Sequence, residues 1–163
     1  MVIPEQTGIV PAEKRIAELG IHLPPAPQPL GAYVEAVESG RLLFLTGMMP
    51  VLAGKPQYVG VLGKGLSVDD GRDSARIAVL NALAVARQHL GSLDRITRVL
   101  KTEVYLVATE DFVAQLPKIA DGASELLRDV FGARGLSVRK VIGATVLPLN
   151  VPVLVELLYE IKP

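Results

Sequence analysis

The segment from Ser67 to Gly91 constrains this chain more than any other. Between Ala75 and Ala86 it reads ARIAVLNALAVA, apolar on nearly every helical face. A helix of that kind cannot lie on a surface with one side in water; it is buried on more than one side. Ser67, Asp69 or Asp70 supplies the cap at its start, and Gly91 ends it after Leu90. The many alanines permit close approach to a sheet. The rest of the chain must therefore provide a sheet for this helix to cover, and a further element to cover the helix.

Half of the 163 residues are hydrophobic but only 4% are aromatic, so Ala, Val, Leu and Ile must fill the core. The length suits one domain. Mean hydropathy is +0.38, although no apolar run reaches the ~18 residues of a membrane span. Such a surplus is expected to be hidden against another subunit. Seventeen basic residues balance seventeen acidic ones. Zero net charge supplies no long-range attraction for nucleic acid or anionic lipid, so neither is expected as a partner. There is no cysteine, which excludes disulfides and thiol chemistry. The two histidines, His22 and His89, lie far apart, and no acidic cluster has metal-ligand spacing. Neither a metal nor a cofactor is expected. Met1 to Lys14 lacks a basic stretch followed by an apolar one, so it is not read as a secretory signal, and a cytoplasmic location is expected.

Residues 1–29 read as an N-terminal helix and a linker ahead of a single domain at 30–163. Pro11 to Gly20 has Pro at the first turn and Gly at the end. Leu23 to Pro29 contains Pro24, Pro25, Pro27 and Pro29 and is expected to be extended. Tyr33–Val37 and Leu42–Thr46 read as a hairpin turning at Ser39-Gly40. Gly54 to Gly65 reads as a loop with a short strand at Tyr58–Leu62. Arg95 to Val107 alternates, with Leu100, Thr102, Val104 and Leu106 on one face and Val99, Lys101, Glu103, Tyr105 and Val107 on the other. Asp111 opens a second helix to Phe131, expected to break near Pro117 or Gly122. Val138–Leu147 and Val151–Ile161 follow as strands joined by Pro148-Leu-Asn150. The order implies an α+β fold with two long helices on one face of a mixed sheet.

Few residues are placed for chemistry. Neither His22, in the Pro-rich linker, nor His89, at a helix end, looks like a positioned base. Gly60-Val-Leu-Gly63-Lys-Gly65 misses the phosphate-loop pattern because Lys64 precedes Gly65 rather than Ser or Thr. Asp69-Asp70 reads as first-turn charge on the helix. Arg139 remains. A guanidinium at a strand start can hold a carboxylate with two parallel hydrogen bonds, or it can simply be solvated.

Arg139 to Pro148, then Val151-Pro-Val-Leu-Val-Glu156, resembles the C-terminal signature of the RidA/YjgF family: an Arg, a strand, Leu-Pro, and a strand carrying Glu. Gly31-Ala-Tyr33, Leu43 to Pro50, Asn81, Lys101 to Leu106 and Asp111-Phe112 resemble further family segments in order. The likeness covers about Leu30 to Ile161. It implies a chorismate-mutase-like fold, a homotrimer with clefts between subunits, and a small carboxylate ligand. It also implies hydrolysis of reactive enamines or imines to 2-keto acids. By position, Arg139 would bind the substrate carboxylate, Thr46 would offer a hydroxyl, and Gly47 and Tyr33 would line the cleft. Arg139, Thr46 and Glu156 form the candidate catalytic set. The glutamate credited in the family with positioning water falls on Leu154. Glu156 stands two residues further on, about 7 Å along the strand. The ligand-binding Asn of the second helix has no clear counterpart. A non-catalytic carboxylate-binding module is therefore the alternative, with RNA cleavage or translation inhibition a third reading.

Overall fold

A computed structural model describes residues 10–163. The first nine residues of the 1–29 segment lie outside the described residues. The elements are α1 (Ala12–Glu18), β1 (Ala36–Ser39), β2 (Leu42–Leu45), β3 (Val51–Leu52), β4 (Lys55–Pro56), β5 (Val61–Leu62), β6 (Gly65–Leu66), α2 (Val68–Leu90), β7 (Ile96–Leu106), α3 (Leu116–Phe131), β8 (Val138–Gly143) and β9 (Val153–Ile161). The main sheet has the order β1-β2-β9-β7-β8. The pair β7–β8 is parallel and spanned by α3; β1–β2, β2–β9 and β7–β9 are antiparallel.

Ser67 is the residue that caps α2. Its hydroxyl accepts from the Asp70 backbone N–H, and the Asp70 carboxylate accepts from the Ser67 backbone N–H at 2.7 Å. That capping box holds the Asp70 carboxyl below its ordinary range, chiefly through the Ser67 backbone bond. Gly91 closes the helix at φ +79°. Ala75, Ala78, Ala82 and Ala86 are completely buried, as expected of a helix wedged between the sheet and α3.

Pro117 lies in the first turn of α3, where its missing N–H costs nothing, and the helix runs unbroken through Gly122. A preceding 3-10 turn at Glu110–Gln115 absorbs the change of direction. The expected break therefore falls just before Pro117, where 3-10 gives way to α-helix, and not at Gly122. Gly122 instead marks a helix crossing: a Cβ there would collide with the Arg72 carbonyl of α2.

The alternation of β7 also departs from expectation. Val99 is 1% exposed and faces the core, whereas Leu100 is only half-buried. Two register shifts against β9 explain this, one between Ile96 and Arg98 and one between Val99 and Lys101. Each inserts one extra residue, so the core-facing residues run Ile96, Val99, Thr102, Val104, Leu106. Residue identity alone does not reveal a bulge, because Val and Leu suit either face.

The last two strands are not neighbours. β8 ends at Gly143, before the expected Leu147, and β7 separates it from β9. The link crosses the end of β7 through Pro148–Asn150, where Leu149 and Asn150 both take φ +55°. At the other end of the hairpin, Tyr33 to Glu35 precede the strand proper, and Gly31–Tyr33 forms a tight turn through Tyr33 N–H to Gly31 C=O at 3.0 Å.

α1 docks into the same core through Ala12 and Ile16. The Glu13 carboxylate accepts from Arg87 of α2 at 2.6 and 3.1 Å and from the Leu93 N–H at 2.9 Å. Tyr159 of β9 is fully buried, its ring 6.4 Å from that of Phe131 and its hydroxyl without a partner among the described residues. Burial pushes the phenol pKa up. Tyr159→Phe removes an unsatisfied group while preserving the packing. Its thermal midpoint is expected to equal or exceed that of the wild type; a drop of several degrees in calorimetry would show that the hydroxyl has a partner.

Candidate functional site

The end of β2 and the turn before β1 enclose a cavity of ≈ 360 Å³. Tyr33, Glu35, Thr46, Gly47, Met48 and Met49 line it, with Asn81 from α2, Leu149 from the β8–β9 link, and the Pro25–Leu30 segment as one wall. Three residues singled out in the sequence, Tyr33, Thr46 and Gly47, thus come together. The backbone explains why. Thr46 N–H donates to the Glu35 carbonyl at 2.9 Å, extending the β1–β2 ladder beyond its last formal pair, and Met48 bonds both ways with Val155 of β9 at 2.7 and 2.9 Å. Asn81 is 1% exposed and donates both amide hydrogens, to the carbonyls of Met49 and Val51 at 2.9 and 2.8 Å. It fixes the floor of the cavity to α2. The Tyr33 hydroxyl accepts from the Leu30 N–H at 3.0 Å, tying the linker wall to the hairpin.

Leu154 lies against Gly47: a Cβ on Gly47 would stand 2.5 Å from a Leu154 methyl. Glu156 is exposed on the sheet face away from the helices and pairs in register with Glu103. It does not line the cavity. On that face Lys101 and Lys140 reach the Glu103 carboxylate at 2.6 and 3.0 Å. These bonds, Lys101 first, bring the Glu103 pKa down to about 2.

Arg139 lies elsewhere. Its Nη1 donates to Asp121 at 2.6 Å and to the Ser124 hydroxyl at 3.2 Å, and its Nη2 donates to the Pro117 carbonyl at 3.4 Å. All three partners belong to α3. The residue pairs in register with core-facing Thr102, which directs it to the helix side of β8. β8 and β2 are three strand steps apart in the sheet, about 14 Å. One small molecule cannot touch Arg139 and Thr46 of the same chain. His22 is exposed, and His89 meets Glu38 at 3.3 Å. Among the described residues no group of three His, Cys, Asp or Glu side chains is arranged to hold a metal, and no helix is long and apolar enough to cross a membrane.

The sequence reading missed three features: Glu35 in the cavity, Asp121 against Arg139, and the linker as a wall. A charged residue in the apolar-flanked Tyr33–Val37 segment was the available signal for the first. Nothing in the sequence signalled the other two, which depend on how segments far apart in the chain meet.

A hairpin, two crossover helices on one sheet face and a cavity at the hairpin's open end define a small α+β protein with a chorismate-mutase-like fold. The family model "YjgF/chorismate mutase-like, putative endoribonuclease" matches residues 13–161, and the chain belongs to this YjgF/RidA family. It is 36% identical over 148 residues to Protein TCP17 of Trypanosoma cruzi, covering 90% of this chain and 92% of that one. It is 28% identical over 142 residues to a 2-iminobutanoate/2-iminopropanoate deaminase of Dermatophagoides farinae, covering 87% and 95%. The crystal structure of a "putative endoribonuclease" from Shewanella oneidensis superposes with a TM-score of 0.89 at 36% identity, over 93% of this chain and all of that one.

Proposed function

We propose that this protein hydrolyses small imines or enamines to carbonyl compounds and ammonia, as a cytoplasmic homotrimer. The observation that carries the reading is the preformed cavity in which Tyr33, Thr46 and Gly47 converge. The similarity to an imine deaminase supports it. Because β8, which carries Arg139, lies three strand steps from β2, about 14 Å, Arg139 would act on a ligand held by a neighbouring copy. The substrate carboxylate would then replace Asp121 as the partner of the guanidinium, at the expense of a charge-assisted bond. The sheet face opposite the helices leaves Val37 and Phe44 exposed at 49% and 46%, which suits burial against another copy.

The test is release of keto acid and ammonia from freshly generated 2-imino acids. Arg139→Ala is expected to raise KM for imino acids at least tenfold, a loss of roughly 1.4 kcal/mol or more of binding. Equal KM values for the two proteins would remove Arg139 from the site, and no acceleration by wild type would remove the hydrolysis. Leu154 against Gly47 favours a second reading, a binding module without turnover. Keto-acid binding by calorimetry without any hydrolysis would select it.

A further inference from the structure

Glu35 stands in the cavity with no assigned part. It follows Tyr33 by two residues, and its own carbonyl is bonded to Thr46, so its backbone is held at the cavity's edge. One carboxyl oxygen, Oε1, is shut off from solvent and has no hydrogen-bond partner among the described residues. A charged oxygen in that position would lose its hydration without compensation. Burial accordingly pushes the Glu35 pKa above its ordinary value of 4.5.

The surroundings give the anion no positive charge: among the described residues no Lys, Arg or His lines the cavity. The linker wall, the Met48–Gly54 segment and Asn81 of α2 contribute no titratable group, and Tyr33 is the other one on the lining. Both amide hydrogens of Asn81 are taken by backbone carbonyls, and the Tyr33 oxygen accepts from the Leu30 N–H. Thr46 and Gln28 add a neutral hydroxyl and a neutral amide to the lining, so among the described residues Glu35 is its one carboxyl, in a space walled largely by proline, leucine and methionine.

We propose that Glu35, as the carboxylic acid, transfers protons to the C=N nitrogen of a small imine whose apolar end packs on the Pro25–Leu30 wall. The proposal rests on the hydrolytic reading above and names the residue that would move the proton. Glu35 gives its proton to the imine nitrogen. Water adds to the iminium carbon as the C=N π pair moves to nitrogen, and the Glu35 carboxylate takes a proton from the added water. The acid then protonates the carbinolamine nitrogen, the C–N bond breaks, ammonia leaves, and Glu35 recovers its proton as the carbonyl forms. One imine and one water become one carbonyl compound and one ammonia. A carboxylate on the substrate would point out of this cation-free cavity, toward a neighbouring Arg139.

The test uses the whole protein with two probes, a freshly generated imine for turnover and butanone oxime, a neutral and stable C=N compound, for binding. Glu35→Gln keeps shape and a donor but cannot exchange a proton. It is expected to lose at least about 100-fold in kcat, while melting no lower than wild type and still binding the oxime. Glu35→Leu is expected to lose at least about tenfold in oxime affinity. Wild-type turnover is expected to fall as pH rises through the raised Glu35 pKa. Glu35→Gln turnover within about threefold of wild type would overturn the proposal, as would oxime binding unchanged in Glu35→Leu. If wild type binds the oxime through Glu35 but hydrolyses no imine, the hydrolytic reading fails and the Glu35–nitrogen contact stands.

Discussion

Gly122→Ala is expected to lower the melting temperature by about 2–12 °C. The new Cβ would overlap the backbone carbonyl of Arg72, and backbone cannot rotate aside as a flexible side chain can. Helices α2 and α3 would have to separate, loosening the alanine-lined contact beneath them. Overpacking of this kind costs about 1–3 kcal/mol, and each kcal/mol is worth about 2–4 °C at this chain length. Gly143→Ala is the control, because a Cβ there meets nothing within 4 Å and its backbone is not left-handed. Differential scanning calorimetry of the two variants decides the matter. Equal midpoints would mean that the close crossing does not exist.

The second large effect is expected at Asn81. Truncation to alanine takes the bonding partner from two carbonyls, those of Met49 and Val51. Each such loss costs about 1–3 kcal/mol where water cannot replace the bond. A stability loss of roughly 2–6 kcal/mol is expected in urea unfolding. The consequence for function is local, since Met49 and Val51 line the cavity. Butanone oxime affinity should fall alongside stability. Asn81→Leu separates the effects of volume and bonding: it restores bulk without the bonds and should remain destabilised. Recovery of wild-type stability in Asn81→Leu would show that packing, rather than the amide, holds the cavity floor.

Sequence patterning made the fold legible where residue types have one physical solution. The all-round apolar run with Ser67 and Gly91 at its ends specified α2 almost to the residue. The Ser39-Gly40 turn specified the first hairpin. Patterning failed where two solutions cost the same. Val99 and Leu100 are equally apolar, so the bulge that chose between them left no trace in composition. Pro117 marks the change from 3-10 to α-helix, as its residue type allows, but Gly122 read as a breaker because its role at a helix crossing depends on a neighbour. The site divided along the same line. Tyr33, Thr46 and Gly47 are brought together by local hairpin pairing, whereas the partner of Arg139 is set by the docking of α3 onto β8, a contact between distant segments.

The linker wall has a mechanical consequence. Its prolines hold φ near one value, so little chain entropy remains to be lost when it lies over the cavity. It is therefore a stiff wall fastened at two points. One is the Leu30 N–H on the Tyr33 hydroxyl; the other is α1, secured by Glu13 to Arg87 and to the Leu93 N–H. That second fastening stands toward the far end of α2 from its capping box, and neither Glu13 nor Arg87 lines the cavity. The width of the cavity mouth is thus expected to depend on how firmly α1 is seated, through an ion pair that does not itself line the cavity.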